Sequence, residues 1–176
     1  MSLLTNALDE ILGYLERLKP EYAEALQPGL SYDEIDQELN HLPFRLPQEI
    51  YTLYQWRNGM YQENYFYRDS LFSPHFTINP LGQALTRYRE KLEYWETSWN
   101  HMWFPFLYCE PKSYFFIVGS MERNESSPVF YGDIEFPEPT LRYSSLTEIM
   151  LEIAENYRTG FYFVDENSGE LIDEDS

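Results

Sequence analysis

The residues able to do covalent chemistry are few and scattered along the 176-residue chain. Cys109 is its only cysteine, so neither an intrachain disulfide nor a cysteine zinc cluster can form. It lies inside the apolar run Met102 to Cys109, where a buried inert thiol outweighs a nucleophile paired with a distant histidine. His41, His75 and His101 have no partner at metal-ligand spacing on a helix and read as structural or surface side chains. The serines fall mostly at caps and loops, without a GxSxG elbow, and the eight glycines never take GxGxxG or GxxxxGK spacing. Carboxylates are so abundant that two of them lying close together says nothing about acid–base catalysis. The stretch from Asp165 to Asp175 holds six acids and no base; it lacks EF-hand spacing and reads as a solvated tail. The expectation is therefore a protein that is not an enzyme, with no catalytic residue, no cofactor and no metal.

Charge narrows the partners. Thirty acidic against twelve basic residues give a net charge of −18, which repels nucleic acid phosphates and anionic lipid. A cationic partner is favoured instead, beside the plain alternative of a solvated acidic surface. The N-terminus has no basic leader ahead of its apolar residues, and the longest apolar run falls far short of a membrane span. A soluble, cytoplasmic protein is expected. Sixteen tyrosines and four tryptophans exceed what one core usually hides, so some of them are candidates for interface anchors.

The elements that would position these groups can be read from periodicity. Leu4, Ala7, Leu8, Ile11, Leu12, Leu15 and Leu18 predict an amphipathic helix ended by Pro20. A Pro28-Gly29 turn follows, then a helix opened by a Ser31/Glu34 capping box with Tyr32, Ile35 and Leu39 on its apolar face. A third helix should begin with Pro47 in its first turn and close on an Asn58-Gly59 cap. The aromatic stretch from Met60 to Pro80, interrupted by Pro74 and Pro80, suits a short strand and loop, and Leu81, Ala84, Leu85, Tyr88, Leu92 and Trp95 predict another helix. Three apolar runs, MWFPFLYC, YFFIVG and PVFYGD, predict an antiparallel meander broken at EPKS. Pro137 and Pro139 imply an extended connection. Ser145/Glu148 then forms a second capping box for a helix stopped by Gly160, with a short edge strand after it. One α+β domain over residues 1–165, with an acidic tail over 166–176, is the natural count.

The stretch LPFRLPQEIYTLYQWRNGM, with Leu46-Pro47 opening a helix and Trp56-Arg57-Asn58-Gly59 closing it, resembles the signature of the SUKH superfamily. That superfamily comprises a fungal cell-wall synthesis regulator family and many bacterial relatives. Upstream, Pro28-Gly29-Leu30-Ser31 with Glu34-Ile35 is similar to the family's preceding helix start. Downstream, Trp103-Phe104-Pro105-Phe106 resembles its central sheet, and SSLTEIMLEIAENYRTGFYFVDE its closing helix. The resemblance implies a SUKH-like α+β fold, with a central, mostly antiparallel sheet packed by N-terminal and C-terminal helices and no catalysis. It also implies an immunity-type protein that binds and occludes a basic, nuclease-like toxin of a bacterial polymorphic toxin system. The alternative is a cell-wall synthesis or signalling regulator or scaffold without a toxin. Carried over by position, Trp56, Arg57, Asn58, Gly59, Trp103 and Pro105 are the candidate partner-binding residues. A purely structural duty stays open for them, Gly59 as a left-handed cap and Trp56 as core. A third class, an enzyme or small-molecule sensor, would be revived by a pocket holding convergent polar groups with perturbed pKa values.

Overall fold

The computed structural model describes residues 1–62, 71–94, 99–110, 113–133 and 138–176. Expectations placed on Trp95, on the Pro111-Lys112 break, on Pro137 and on residues 63–70 lie outside the described residues.

Ser2 caps α1 (Leu3–Leu18), its hydroxyl accepting the Thr5 N–H at 3.2 Å, and Leu4, Ala7, Leu8, Ile11 and Leu15 face inward. Pro20 ends that helix and at once opens α2 (Pro20–Glu24), because its fixed φ suits a first helical turn. A short β1 (Leu26–Pro28) leads to α3 (Tyr32–Leu39). There the Ser31 hydroxyl accepts from Glu34 N–H at 3.2 Å, and the Glu34 carboxylate accepts from Ser31 N–H at 2.7 Å. Tyr32 does not share the buried face with Ile35 and Leu39: at the first helical position it points outward, against the Tyr51 ring at 5.1 Å.

In α4 (Gln48–Trp56), Pro47 is the N-cap rather than part of the first turn, with an extended ψ of 159°. The helix end also differs from expectation. Arg57 turns extended (φ −151°, ψ 142°), and Asn58-Gly59 lies within β2 (Arg57–Met60), antiparallel to β1. The Arg57 N–H donates to the Leu53 carbonyl and the Leu30 N–H to the Tyr54 carbonyl at 2.9 Å, so these two helix-end carbonyls are satisfied without a left-handed cap.

Beyond β3 (Thr77–Ile78) comes α5 (Leu81–Tyr94), burying Leu81, Ala84, Leu85 and Tyr88. The expected meander is β4 (Trp103–Glu110), β5 (Ser113–Val118) and β6 (Val129–Asp133). The segment expected as an extended connection becomes a further strand, β7 (Thr140–Tyr143), which pairs Phe130 with Leu141 and Tyr131 with Thr140. Its proline, Pro139, precedes the first strand residue, where no ladder N–H is lost. The sheet order is β3-β4-β5-β6-β7, every pairing antiparallel.

Closing the chain, α6 (Leu146–Thr159) ends at Gly160 with φ +79°. Its capping differs from a simple box: Ser145 Oγ accepts from Glu148 N–H at 3.0 Å, but the Glu148 carboxylate accepts from the N–H and hydroxyl of Ser144. The expected acidic tail is only partly solvated. After β8 (Tyr162–Val164) the chain turns at Asp165, whose carboxylate accepts Ser168 N–H at 2.8 Å, and returns as β9 (Leu171–Asp173). Leu171 is 3% and Asp173 5% exposed, because period-two alternation puts both on the packed face.

The chain is thus α+β, with N-terminal and C-terminal helices packed on a central antiparallel sheet. Helices α1 and α6 pack together, stacking Tyr14 on Tyr157 at 5.5 Å. Ile78, Phe104, Phe106, Leu107, Ile117 and Val129 are among the sheet residues in the core. The buried phenols of Tyr54 and Tyr157 donate to the carbonyls of Asn79 and Phe72, both at 2.9 Å, so neither hydroxyl is stranded. Among the described residues no helix is long and apolar enough to cross a membrane.

Candidate functional site

The six candidate residues fall into two groups with different neighbours. Trp56 is half-buried, donates its indole N–H to Asp9 at 2.8 Å and meets Phe72 edge-on at 6.2 Å. Arg57 folds back over the Trp56 ring at 5.4 Å and donates to the Trp56 carbonyl at 2.7 Å. The Asn58 amide oxygen accepts the Leu81 N–H at 2.9 Å and so caps α5 from a distance. Gly59 has φ +70°, and a Cβ there would overlap the backbone of Asn79 and Pro80. These four residues therefore join α4, β2 and the start of α5. Trp103 and Pro105 lie instead on the outer face of the sheet, where Trp103 packs on Phe116 at 4.8 Å and Trp99 at 5.3 Å, and Pro105 pairs with Phe116.

An open concavity lies on the opposite face. Helix α6 and the β8–β9 hairpin cover the inner side of β5, β6 and β7 incompletely, leaving an open cleft of about 690 Å³. Strand alternation places Phe115 and Tyr131 on its floor, and Tyr143 reaches in from the edge strand. Their rings interlock: Phe115 meets Phe76 at 5.7 Å, Tyr131 at 5.5 Å and Tyr143 at 6.2 Å. Around them stand four carboxyl groups from three elements: Asp133 at the end of β6, Glu152 on α6, and Asp173 and Asp175 at the hairpin end. Arg142, whose guanidinium sits 5.5 Å over the Tyr131 ring, and His75 are the basic residues of the lining.

Each side chain has a physical reason for its state. The Tyr143 hydroxyl donates to Glu152 at 2.9 Å; burial first, and then the carboxylate, hold the phenol well above its ordinary pKa. Tyr131 and Tyr162 are also raised, chiefly by burial. All three phenols therefore remain hydrogen-bond donors at neutral pH. Asp173 is pushed below the usual carboxylate range by the Ser176 hydroxyl at 2.5 Å, then by His75, whose Nε2 lies 2.5 Å from it. This contact fastens the loop before β3 to the last strand. Cys109 also lines the cleft and is buried. Among the described residues, no group of three or more His, Cys, Asp or Glu side chains is placed to hold a metal ion.

Local sequence reading did not single out Tyr131, Tyr143, Glu152 or the His75–Asp173 pair. The one local signal was Asp173 two residues after Leu171, an acid sharing the buried face of a short strand. No protein-family model and no curated protein matches the chain.

Proposed function

We propose that this chain is a non-enzymatic, cytoplasmic protein-binding domain of the SUKH type. In this reading it is an immunity-like protein that binds and occludes a basic, nuclease-like toxin of a bacterial polymorphic toxin system. The observation that carries the reading is the aromatic-floored cleft ringed by carboxylates, on a chain of net charge −18. A nuclease must present positive surface to hold phosphates. An acidic rim steers such a surface in and excludes its substrate, while buried aromatic rings supply anchoring area. The same cleft holds convergent polar groups with shifted pKa values, Tyr143 beside Glu152 and Asp173 beside His75, so an enzyme or small-molecule sensor stands as the second reading.

The test is capture from native lysate at low and at high salt, with the bound protein identified and assayed. A basic partner, retained at low salt, released at high salt and losing nuclease activity when bound, is the expected result. An acidic partner, or retention indifferent to salt, overturns the reading. A basic partner with no nuclease activity, encoded at an isolated locus, transfers the fold to the regulator or scaffold reading.

A further inference from the structure

We infer that the cleft between β5–β7, α6 and the β8–β9 hairpin is a receptor for a single arginine side chain presented by a basic partner. The inference rests on the protein-binding reading above and names what that surface grips. A guanidinium is recognised by two things at once: an aromatic face to stack on, and in-plane carboxylate oxygens to accept its N–H groups. The cleft offers both. Its floor is the Phe115, Tyr131 and Tyr143 cluster, and its lining carries Asp133 from β6 and Glu152 from α6.

The chain itself supplies a demonstration on this surface. Arg142 already rests its guanidinium over the Tyr131 ring, so that ring accepts a planar cation. The carboxylate of Glu152 is oriented rather than consumed by the Tyr143 hydroxyl, since one phenol donor occupies only one of its lone-pair directions. Tyr131 stands 3.4 Å from Asp133 in the matching position on the sheet side. Other ligand classes fit less well. An anion would face four carboxylates, and a small apolar ligand would take water from them while supplying no hydrogen-bond donor. A lysine ammonium could use one carboxylate but would forgo the stacked plane.

The experiment is an amide NMR titration of the whole protein with N-acetyl-arginine methylamide, beside the equally blocked lysine and citrulline. Saturable shifts centred on Phe115, Tyr131, Tyr143 and Glu152 are expected with arginine. The neutral isostere citrulline should bind at least about tenfold more weakly, since charged hydrogen bonds are lost. Glu152 is exposed, so Glu152→Gln should leave the rest of the spectrum in place while weakening arginine by about fivefold or more. Equal binding of citrulline or lysine, shifts that spread over the acidic surface without saturating, or no loss in Glu152→Gln would each overturn the inference. Failure here is distinguishable from failure of the broader reading. A basic partner captured equally by wild type and Glu152→Gln sinks the arginine receptor and leaves the protein-binding function standing. Arginine binding without any basic partner does the reverse.

Discussion

The two faces of the five-stranded sheet both carry clustered aromatic rings, yet they are finished in opposite ways. On the outer face Trp99, Trp103, Tyr114, Phe116 and Phe130 interlock at 4.8 to 6.2 Å, and Lys91 of α5 lies 3.5 Å over the Tyr114 ring. Trp99 and Phe116 are buried there. On the inner face Phe76, Phe115, Tyr131 and Tyr143 interlock at similar distances, but the space above them stays open and its rim is acidic. Aromatic surplus alone therefore does not mark a binding surface. What distinguishes the faces is what stands over the rings: Lys91 packed down among one set, and over the other an open cleft rimmed by four carboxylates, with Arg142 over Tyr131.

Adjacent residues of β5 allow the sharpest attack on that comparison. Phe116 is 1% exposed and touches four other rings, so Phe116→Ala should cost about 3–5 kcal/mol of stability in urea denaturation. Phe115 is only half-buried at the cleft floor, and Phe115→Ala should cost no more than about 2 kcal/mol while abolishing arginine binding. Equal losses of stability from the two substitutions would mean that the inner face is packed as a core, and the contrast would fail.

A second attack uses the charge on the sealed face. Burial lowers the Lys91 pKa to about 8 from an ordinary 10.5, with Arg87 adding repulsion. Between those values the unfolded chain binds the proton and the folded chain does not, so stability should rise with pH from about 8 towards 10. Above about 10 the trend should reverse. Buried Tyr54 and Tyr157 keep their protons in the folded state after the unfolded phenols have lost theirs. Lys91→Met retains an unbranched chain against Trp99 and Tyr114 and should remove the rise, gaining about 1 kcal/mol at neutral pH. A variant that is less stable and still shows the rise would place its origin elsewhere.

The same contrast explains what could be read from the amino acids. The helices were legible because their signals are local: Ser31 with Glu34, Ser145 three residues before Glu148, Gly160 after the last apolar position. The strands β4, β5 and β6 were legible as apolar runs. β7 was not, because an edge strand with Leu141 59% exposed shows no buried alternation, and β9 was hidden by its acidic neighbours. The Trp56–Gly59 motif was visible, but its geometry shows a junction that caps α5 and makes room for Asn79 and Pro80. The cleft was illegible for a different reason. Its residues come from the loop before β3, four strands, α6 and the hairpin, and each is ordinary in its own window. His75 and Asp173 meet only because the hairpin returns the chain end to the start of the sheet.

That last contact gives the smallest and most local test of the open face. His75 is more than half exposed, so its contact with Asp173 should contribute no more than about 1 kcal/mol. The Ser176 hydroxyl would still hold the carboxylate in His75→Ala, which limits the loss further. The effect should therefore appear as faster hydrogen exchange at Tyr162, Val164, Leu171 and Asp173, through opening of the β8–β9 hairpin rather than of the whole chain. Amides of Phe116 and Ile117 in β5 should keep their wild-type protection. Acid should deepen the difference in wild type: the lowered Asp173 pKa supplies stability above the ordinary carboxylate range, which is lost as pH falls through the folded value. Were β5 to exchange as fast as the hairpin, the cleft's outer wall would be one cooperative unit with the sheet. The open face would then be as rigid as the sealed one.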